Sequence, residues 1–207
     1  MQANQREFNL QLDAAAALDS KIKTVIDEHG YPEPRARAHG FETMLRIIVS
    51  QQLSTRAAAS IWGRVEALCN NSVSTQTILM QADDALRKCG LSRQKVGYAK
   101  ALAERIETGV LAPETLVDMP TEAVILALTE IKGYGVWSAE IYAMFALGRP
   151  DIFPAGDLAL QIAVQRLETL PEKPTEKQTR EIAGRWSPHQ SAVAVLMWHY
   201  YGATTLE

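Results

Sequence analysis

Apolar residues recur at helical spacing along nearly the whole chain, and the residues between them mark where helices start and stop. Leu12, Ala15, Ala16, Ile22, Val25 and Ile26 fall on one side of a helix predicted over residues 10–28, which Gly30 ends. The prolines of "YPEPRARAHG" and Gly40 make the next stretch a loop. From Phe41 to Val49 the chain is strongly apolar and runs into "SQQLS"; "TRAAASIWGRVEAL" then predicts a helix from Ser54 through Leu68. Residues 82–88 predict a short helix closed by Gly90. Ser92 caps the next, whose inner face carries Val96, Ala99, Leu102 and Ile106 before Gly109. Pro120 and Thr121 open another helix, and a further one runs from Val136 to about Leu147. After "GRPDIFPAG", residues 157–168 are helical again. "LPEKPTEKQ" is a linker in which Thr175 and Gln178 form a capping-box pattern for the following helix. Residues 191–201 are nearly all apolar, which predicts a central helix. No segment reads as a strand and no repeat of 20–50 residues is visible. The fold class is all-α.

Composition narrows the class without naming a partner. With 207 residues, 47% of them hydrophobic and 22% charged, the chain has the make-up of an ordinary folded protein in one domain or two small lobes. No stretch approaches the ~20 apolar residues of a membrane span, and "MQANQREFNL" has neither the basic start nor the apolar run of a secretory leader. No membrane association is expected. Cys69 and Cys89 are too few for a disulfide framework or a four-thiolate cluster. The expected setting is therefore cytoplasmic and reducing, with both cysteines packed between helices. A net charge of −3 argues against indiscriminate nucleic-acid binding, yet only the charge local to a phosphate matters, so a basic face is not excluded.

One stretch stands apart. In "IKGYGVWSA" two glycines, Gly133 and Gly135, bracket Tyr134 between two predicted helices. Glycine takes positive φ without steric cost and lets another backbone come close. A tight hairpin of this kind can turn several N–H groups outward at the start of the second helix, where the helix dipole is positive, and such an array suits an anion such as phosphate. A turn that merely packs two helices has the same two glycines. Asp157, after Gly156 and before "LALQIAV", reads in isolation as a good helix cap.

The pattern Leu128-x-x-Ile131-x-Gly133-x-Gly135-x-Trp137-x-Ala139 resembles the helix–hairpin–helix element of DNA repair glycosylases. "DIFPAGD" then supplies Pro154 and Asp157 some twenty residues on, as in that superfamily. From about Phe41 to Tyr201, through "IIVSQQLS", the hairpin, the aspartate loop and "RWSPHQSAVAVLMWHYY", the chain is similar to the 3-methyladenine DNA glycosylase II (AlkA-like) branch. The resemblance implies two helical lobes with the helix-hairpin-helix element and a cleft between the lobes. The β-rich N-terminal domain of larger members has no counterpart in the first forty residues. Residues 1–40 are read as an N-terminal helix and loop packing with the C-terminal helices, and residues 41–207 as the glycosylase core.

What the resemblance implies about chemistry follows residue by residue. Bifunctional members carry a lysine two residues past the second glycine that forms a Schiff base with the sugar. Trp137 stands there, an indole cannot form an imine, and Lys132 lies on the wrong side of the glycines to replace it. Without the clustered cysteines of the iron–sulfur members, no iron–sulfur cluster and no other required cofactor are expected. Asp157 is the catalytic candidate, a carboxylate that stabilises oxocarbenium character at C1′ and orients the attacking water; Asp151 is the weaker one. Alkylated purines leave with positive charge and need no acid, and an aromatic pocket favours them by cation–π attraction. Trp137 is the first wall candidate, with His189 and Trp186 of "RWSPHQS" beside it. The family's aromatic position is His189 here and its usual arginine is Gln190, which bears on base preference. Trp62 and Trp198, within apolar helical patterns, are read as core.

Gln52 falls at the family position of the wedge that fills the space left by a flipped base, and Gln51 is read as structural. Phosphate contacts are expected from Lys132, Gly133, Gly135, Val136 and Ser138; Arg93 and Lys95 in "GLSRQK" read equally as flanking contacts or as a solvated helix start. A monovalent cation, Na+ or K+, is implied on the backbone carbonyls of Thr129, Ile131 and Gly133. The expected partner is double-stranded DNA containing damaged bases, bound by a monomer. The expected activity is monofunctional excision of alkylated purines in base excision repair, leaving an abasic site. A glycosylase for another lesion class and a non-catalytic damaged-DNA-binding module are the alternatives.

Overall fold

A computed structural model of the chain describes residues 4–205; the ends of the chain read above for a leader and for domain limits lie partly outside them. Twelve α-helices and two 3-10 turns occur among the described residues, with no strand. The helices are α1 Gln5–Leu18, α2 Ser20–His29, α3 Phe41–Ser50, α4 Thr55–Leu68, α5 Thr75–Leu79, α6 Asp83–Lys88, α7 Arg93–Glu107, α8 Thr121–Thr129, α9 Val136–Phe145, α10 Leu158–Leu167, α11 Glu176–Ala183 and α12 Gln190–Thr205. None is long and apolar enough to cross a membrane. They form two compact units: Arg37–Tyr142, and the chain up to Ala36 together with everything from Ala143 onward, so the division falls inside α9.

The Arg37–Tyr142 unit closes around Leu45, Val49, Trp62, Val65, Ile78, Leu86, Val96, Ala99 and Ala103, with α7 packed against α3, α5 and α6. The helix starts follow the sequence. Ser54 Oγ caps α4 by accepting from Ala57 N (3.3 Å), and Ser92 Oγ caps α7 by accepting from Lys95 N (3.2 Å). Two elements the periodicity does not announce are α5, opened by a capping box between Ser74 and Thr77, and the 3-10 turn Pro113–Val117. Cys69 and Cys89 are free and buried, and desolvation raises both thiol pKa values. The loop before α3 is tied to α9 by Tyr142, whose hydroxyl accepts from Gly40 N (3.1 Å) and pairs with His39 Nδ1 (2.8 Å). Burial pushes that phenol up to about 12.

The second unit is built on α12, which is buried from Ala192 to Met197 and packs against α1, α2 and α10. The single helix expected over residues 10–28 is two. Asp19 adopts an extended conformation (φ −144°, ψ 110°) that ends α1 and caps α2 through Oδ1 on Lys21 N (3.0 Å). Its other oxygen accepts from Trp186 Nε1 (2.9 Å) and pairs with Arg185 Nε (2.9 Å), so the break is held by partners far away in sequence. Glu168 extends this network by pairing with Lys21 Nζ (2.6 Å) and with Arg185. Thr175 and Gln178 form the expected capping box at α11.

Candidate functional site

The hairpin joins α8 to α9, and its two glycines do different things. Gly133 has φ +87°, and a Cβ there would lie 2.2 Å from Cδ2 and 2.3 Å from Cγ of Tyr98. Glycine is required at 133 both by conformation and by the Tyr98 ring pressed on its Cα. Gly135 is exposed, its φ is not in the left-handed range, and nothing lies within 4 Å of where a Cβ would be. The missing side chain there leaves open surface at the start of α9. Between them Tyr134 is buried, with its hydroxyl unpartnered and its pKa driven well above the usual phenol value by desolvation.

Ala139 N donates to Gly135 O (3.1 Å), so α9 starts directly at the second glycine. Amides in the first turn of a helix have no intrahelical acceptor, and the dipole there is positive. Lys132, Gly135 and Val136 are exposed around this point, and Gly133 is half-buried. Ser138 is not exposed. Its side chain is 2% accessible and its Oγ accepts from Gln51 Nε2 (3.0 Å), so the expected phosphate contact through that hydroxyl is corrected to an internal one. Trp137, on the first turn of α9, is half-buried.

The turn from α3 to α4 belongs to the same unit and is tied to the hairpin. Gln51 ends α3, and its Nε2 also donates to the carbonyl of Gly133 (2.8 Å). Lys95 Nζ donates to the carbonyls of Val49 and Gln51, both at 2.8 Å. Desolvation lowers its pKa from the ordinary lysine value. Lys95 is therefore a brace of this turn rather than an outward phosphate contact, whereas Arg93 is exposed. Gln52 projects from the tip, exposed, with φ +56°, an uncommon conformation for a residue other than glycine. Neither glutamine caps α4; Ser54 does.

The carbonyls named for a monovalent cation belong to Thr129 at the C-terminal end of α8, where the dipole is negative, and to Ile131 and Gly133 in the hairpin that follows. Ile131 O accepts from Tyr134 N (2.9 Å) and Gly133 O from Gln51 Nε2 (2.8 Å), which leaves one lone pair on each of these two carbonyls for such an ion. No group of three or more His, Cys, Asp or Glu able to hold a metal occurs among the described residues.

In the other unit, Asp157 is half-buried at the N-terminus of α10. Its Oδ1 accepts from Ala159 N (2.9 Å) and Leu160 N (3.1 Å), the cap the sequence suggests. A third donor was not foreseen. Trp198 Nε1 lies 3.2 Å from the same oxygen, and its ring packs on Phe145 with centroids 5.9 Å apart. Trp198 is half-buried, which corrects the reading of it as core. The loop before Asp157 is stapled: Asp157 N donates to Pro154 O (2.8 Å), Ile152 N to Ser191 Oγ (3.0 Å) and Gln161 Nε2 to Ala155 O (2.8 Å).

Trp186 is corrected as well. It is 0% accessible, packs on Phe153 and donates its N–H to Asp19, so it cannot line a pocket that a base enters. His189 is half-buried and its Nδ1 pairs with Gln11 Oε1 on α1. Asp151, read as the weaker carboxylate, accepts from Ser187 Oγ (2.6 Å) and Gln190 Nε2 (2.8 Å) and braces the segment that carries His189.

The family model described as "HhH-GPD superfamily base excision DNA repair protein" matches residues 45–189, which take in the α3–α4 turn, the hairpin, Asp157 and His189. The chain is 30% identical over 189 residues to DNA-3-methyladenine glycosylase 1 of Schizosaccharomyces pombe, covering 88% of this chain and 83% of that protein. Its fold is similar to a 3-methyladenine DNA glycosylase of the same yeast solved in complex with abasic DNA, with a TM-score of 0.85, 28% identity and coverage of 91% of this chain and 94% of that one. It is likewise similar to a DNA-3-methyladenine glycosidase of Bacillus halodurans, at a TM-score of 0.82 and 31% identity over 95% of this chain and 91% of that one. The family match spans the α3–α4 turn, the hairpin and the capped aspartate alike, and the chain belongs to the HhH-GPD superfamily of base excision DNA repair proteins.

Proposed function

We propose that this protein is a monofunctional DNA glycosylase that flips alkylated purines of the 3-methyladenine and 7-methylguanine type out of double-stranded DNA. It hydrolyses their N-glycosidic bond and leaves an abasic site. The observation that carries the reading is the Asp157 carboxylate, oriented by two backbone N–H groups and the indole of Trp198. As the base departs, positive charge develops on the sugar, and a fixed carboxylate stabilises it without reorganising. The same group orients the water that attacks C1′. A cationic alkylpurine leaves without protonation, so a second acid is not needed. Stacking on an aromatic side chain such as Trp137 favours such a base by ~0.5–2 kcal/mol.

The hairpin supplies the grip on the backbone. Amides at Gly133, Gly135 and Val136 with Lys132 hold a phosphate, while Gln52 fills the gap left by the extruded base. A monovalent cation on the carbonyls of Thr129, Ile131 and Gly133 would add positive charge beside that phosphate. Trp137 at the position of the Schiff-base lysine supports hydrolysis without lyase chemistry, and the protein acts as a monomer.

The test is single-turnover release from a duplex containing 7-methylguanine or a stable 3-methyladenine analogue, read with and without alkali and with borohydride trapping. Strand breaks only after alkali, no trapped adduct and a loss of about 10²-fold or more in release for Asp157→Asn are expected. Breaks without alkali, or a borohydride adduct, would overturn the monofunctional mechanism. No release of either base would turn the reading toward another lesion.

A further inference from the structure

Lys95 stands in the first turn of α7, where its charge opposes the dipole of its own helix. Its ammonium is nevertheless drawn in, at 2.8 Å from the carbonyls of Val49 and Gln51 at the end of α3. Those are carbonyls that a helix terminus leaves without intrahelical donors, and a cation there is favoured. One turn along α7, Tyr98 presses its ring on Gly133, and Gln94 Nε2 donates to the Tyr98 hydroxyl. Gln51 closes the triangle by donating to Gly133 O (2.8 Å) and Ser138 Oγ (3.0 Å). One face of α7 therefore touches both DNA-contacting elements of this unit, three residues apart.

We propose that Lys95 is a positioning residue. It pins the α3–α4 turn on α7 so that Gln52 projects at a fixed spacing from the phosphate-binding hairpin, which Tyr98 and Gln51 hold to the same helix. The positive φ of Gln52 makes the bracing necessary, because a left-handed residue at an exposed tip relaxes unless its neighbours are fixed. Lys95 itself touches no DNA; it acts through Gln52. This rests on the reading of Gln52 as the wedge.

The experiment compares Lys95→Met, Gln52→Ala and the double variant, with Lys95→Arg as the conservative control. Two readouts are taken: single-turnover release of 7-methylguanine from duplex, and fluorescence of 2-aminopurine opposite an abasic-site analogue, which reports side-chain insertion without requiring base release. Lys95→Met is expected to lose about 10-fold in release, the scale of a lost charge-assisted hydrogen bond, and to lose most of the fluorescence change. Lys95→Arg is expected to keep both. The double variant is expected to be no slower than Gln52→Ala, since the brace acts through that side chain. Additive losses, or a Lys95→Met fluorescence change equal to wild type, would overturn the proposal. If wild type releases no base, the reading of 7-methylguanine as substrate fails, and the fluorescence comparison still decides the role of Lys95. If Lys95→Met does not fold, Lys95→Gln is judged by the same criteria.

Discussion

Two helix starts, those of α9 and α10, meet the same physical problem in opposite ways. Each leaves first-turn N–H groups without intrahelical acceptors. At α10 the protein supplies its own anion: Asp157 takes Ala159 N and Leu160 N, and the carboxylate held there is the one proposed above as catalytic. At α9 the residue before the helix is Gly135, which has no side chain with which to cap and no atom near its missing Cβ. The first start spends donors on orienting an internal group, and the second is preceded by a residue that offers no side-chain acceptor, which is what the proposed grip on an outside anion calls for. The single residue before a helix decides whether its N-terminus is closed by the chain's own carboxylate or left without a side-chain cap.

Substitutions at those two starts separate the cases. Asp157→Asn keeps a good cap, so its melting temperature should stay near wild type while base release in single-turnover assays falls by about 10²-fold or more. Gly133→Ala should be the most damaging change for the fold. It forces a left-handed alanine against the Tyr98 ring, and a denaturant titration should show a loss of about 2–4 kcal/mol. Trp198→Phe keeps an aromatic face but removes the N–H on Asp157 (3.2 Å). The expected loss in release is about 3- to 10-fold, the scale of one hydrogen bond, and an unchanged rate would mean that the indole serves only as a wall. The gentlest changes lie at the open start. Gly135→Ala should leave stability within about 0.5 kcal/mol of wild type yet weaken DNA binding, because a methyl group would stand where a phosphate approaches. Lys132→Ala should lower the salt dependence of DNA affinity by about one unit of slope in a binding isotherm series.

The legible parts of the molecule were those set by short-range chemistry. Ser54, Ser92 and the Thr175–Gln178 pair announce their helices because a cap acts within three residues. The hairpin was visible for the same reason, although sequence alone gave its glycines equal weight and only the Tyr98 ring tells them apart. Illegible were features created by distant partners. Asp19 breaks a continuous helical pattern because Trp186 and Arg185 hold it extended. Ser138 and Gln51 find each other across 87 residues, which no local pattern encodes. Trp186 and Trp198 exchanged roles: the one in a polar context is buried, and the one in an apolar helix meets the carboxylate. A signal was present in "WHYY", four side chains with polar tips ending an otherwise apolar helix. Such tips seek partners when they are buried, and the apolar pattern around them hid it.

The tie between Asp19 and Trp186 also orders events during synthesis. These two side chains meet across 167 residues, and α1 and α2 bury Leu12 and Ile22 in the unit organised by α12. As the ribosome delivers the chain, α1 and α2 emerge long before the helix they need, while everything from Arg37 to Tyr142 becomes available for its own core in one uninterrupted stretch. Domains fold as units in the order in which their parts arrive. The middle of the chain is thus the part able to fold during translation, and the first helices wait with apolar faces uncovered until the last one appears.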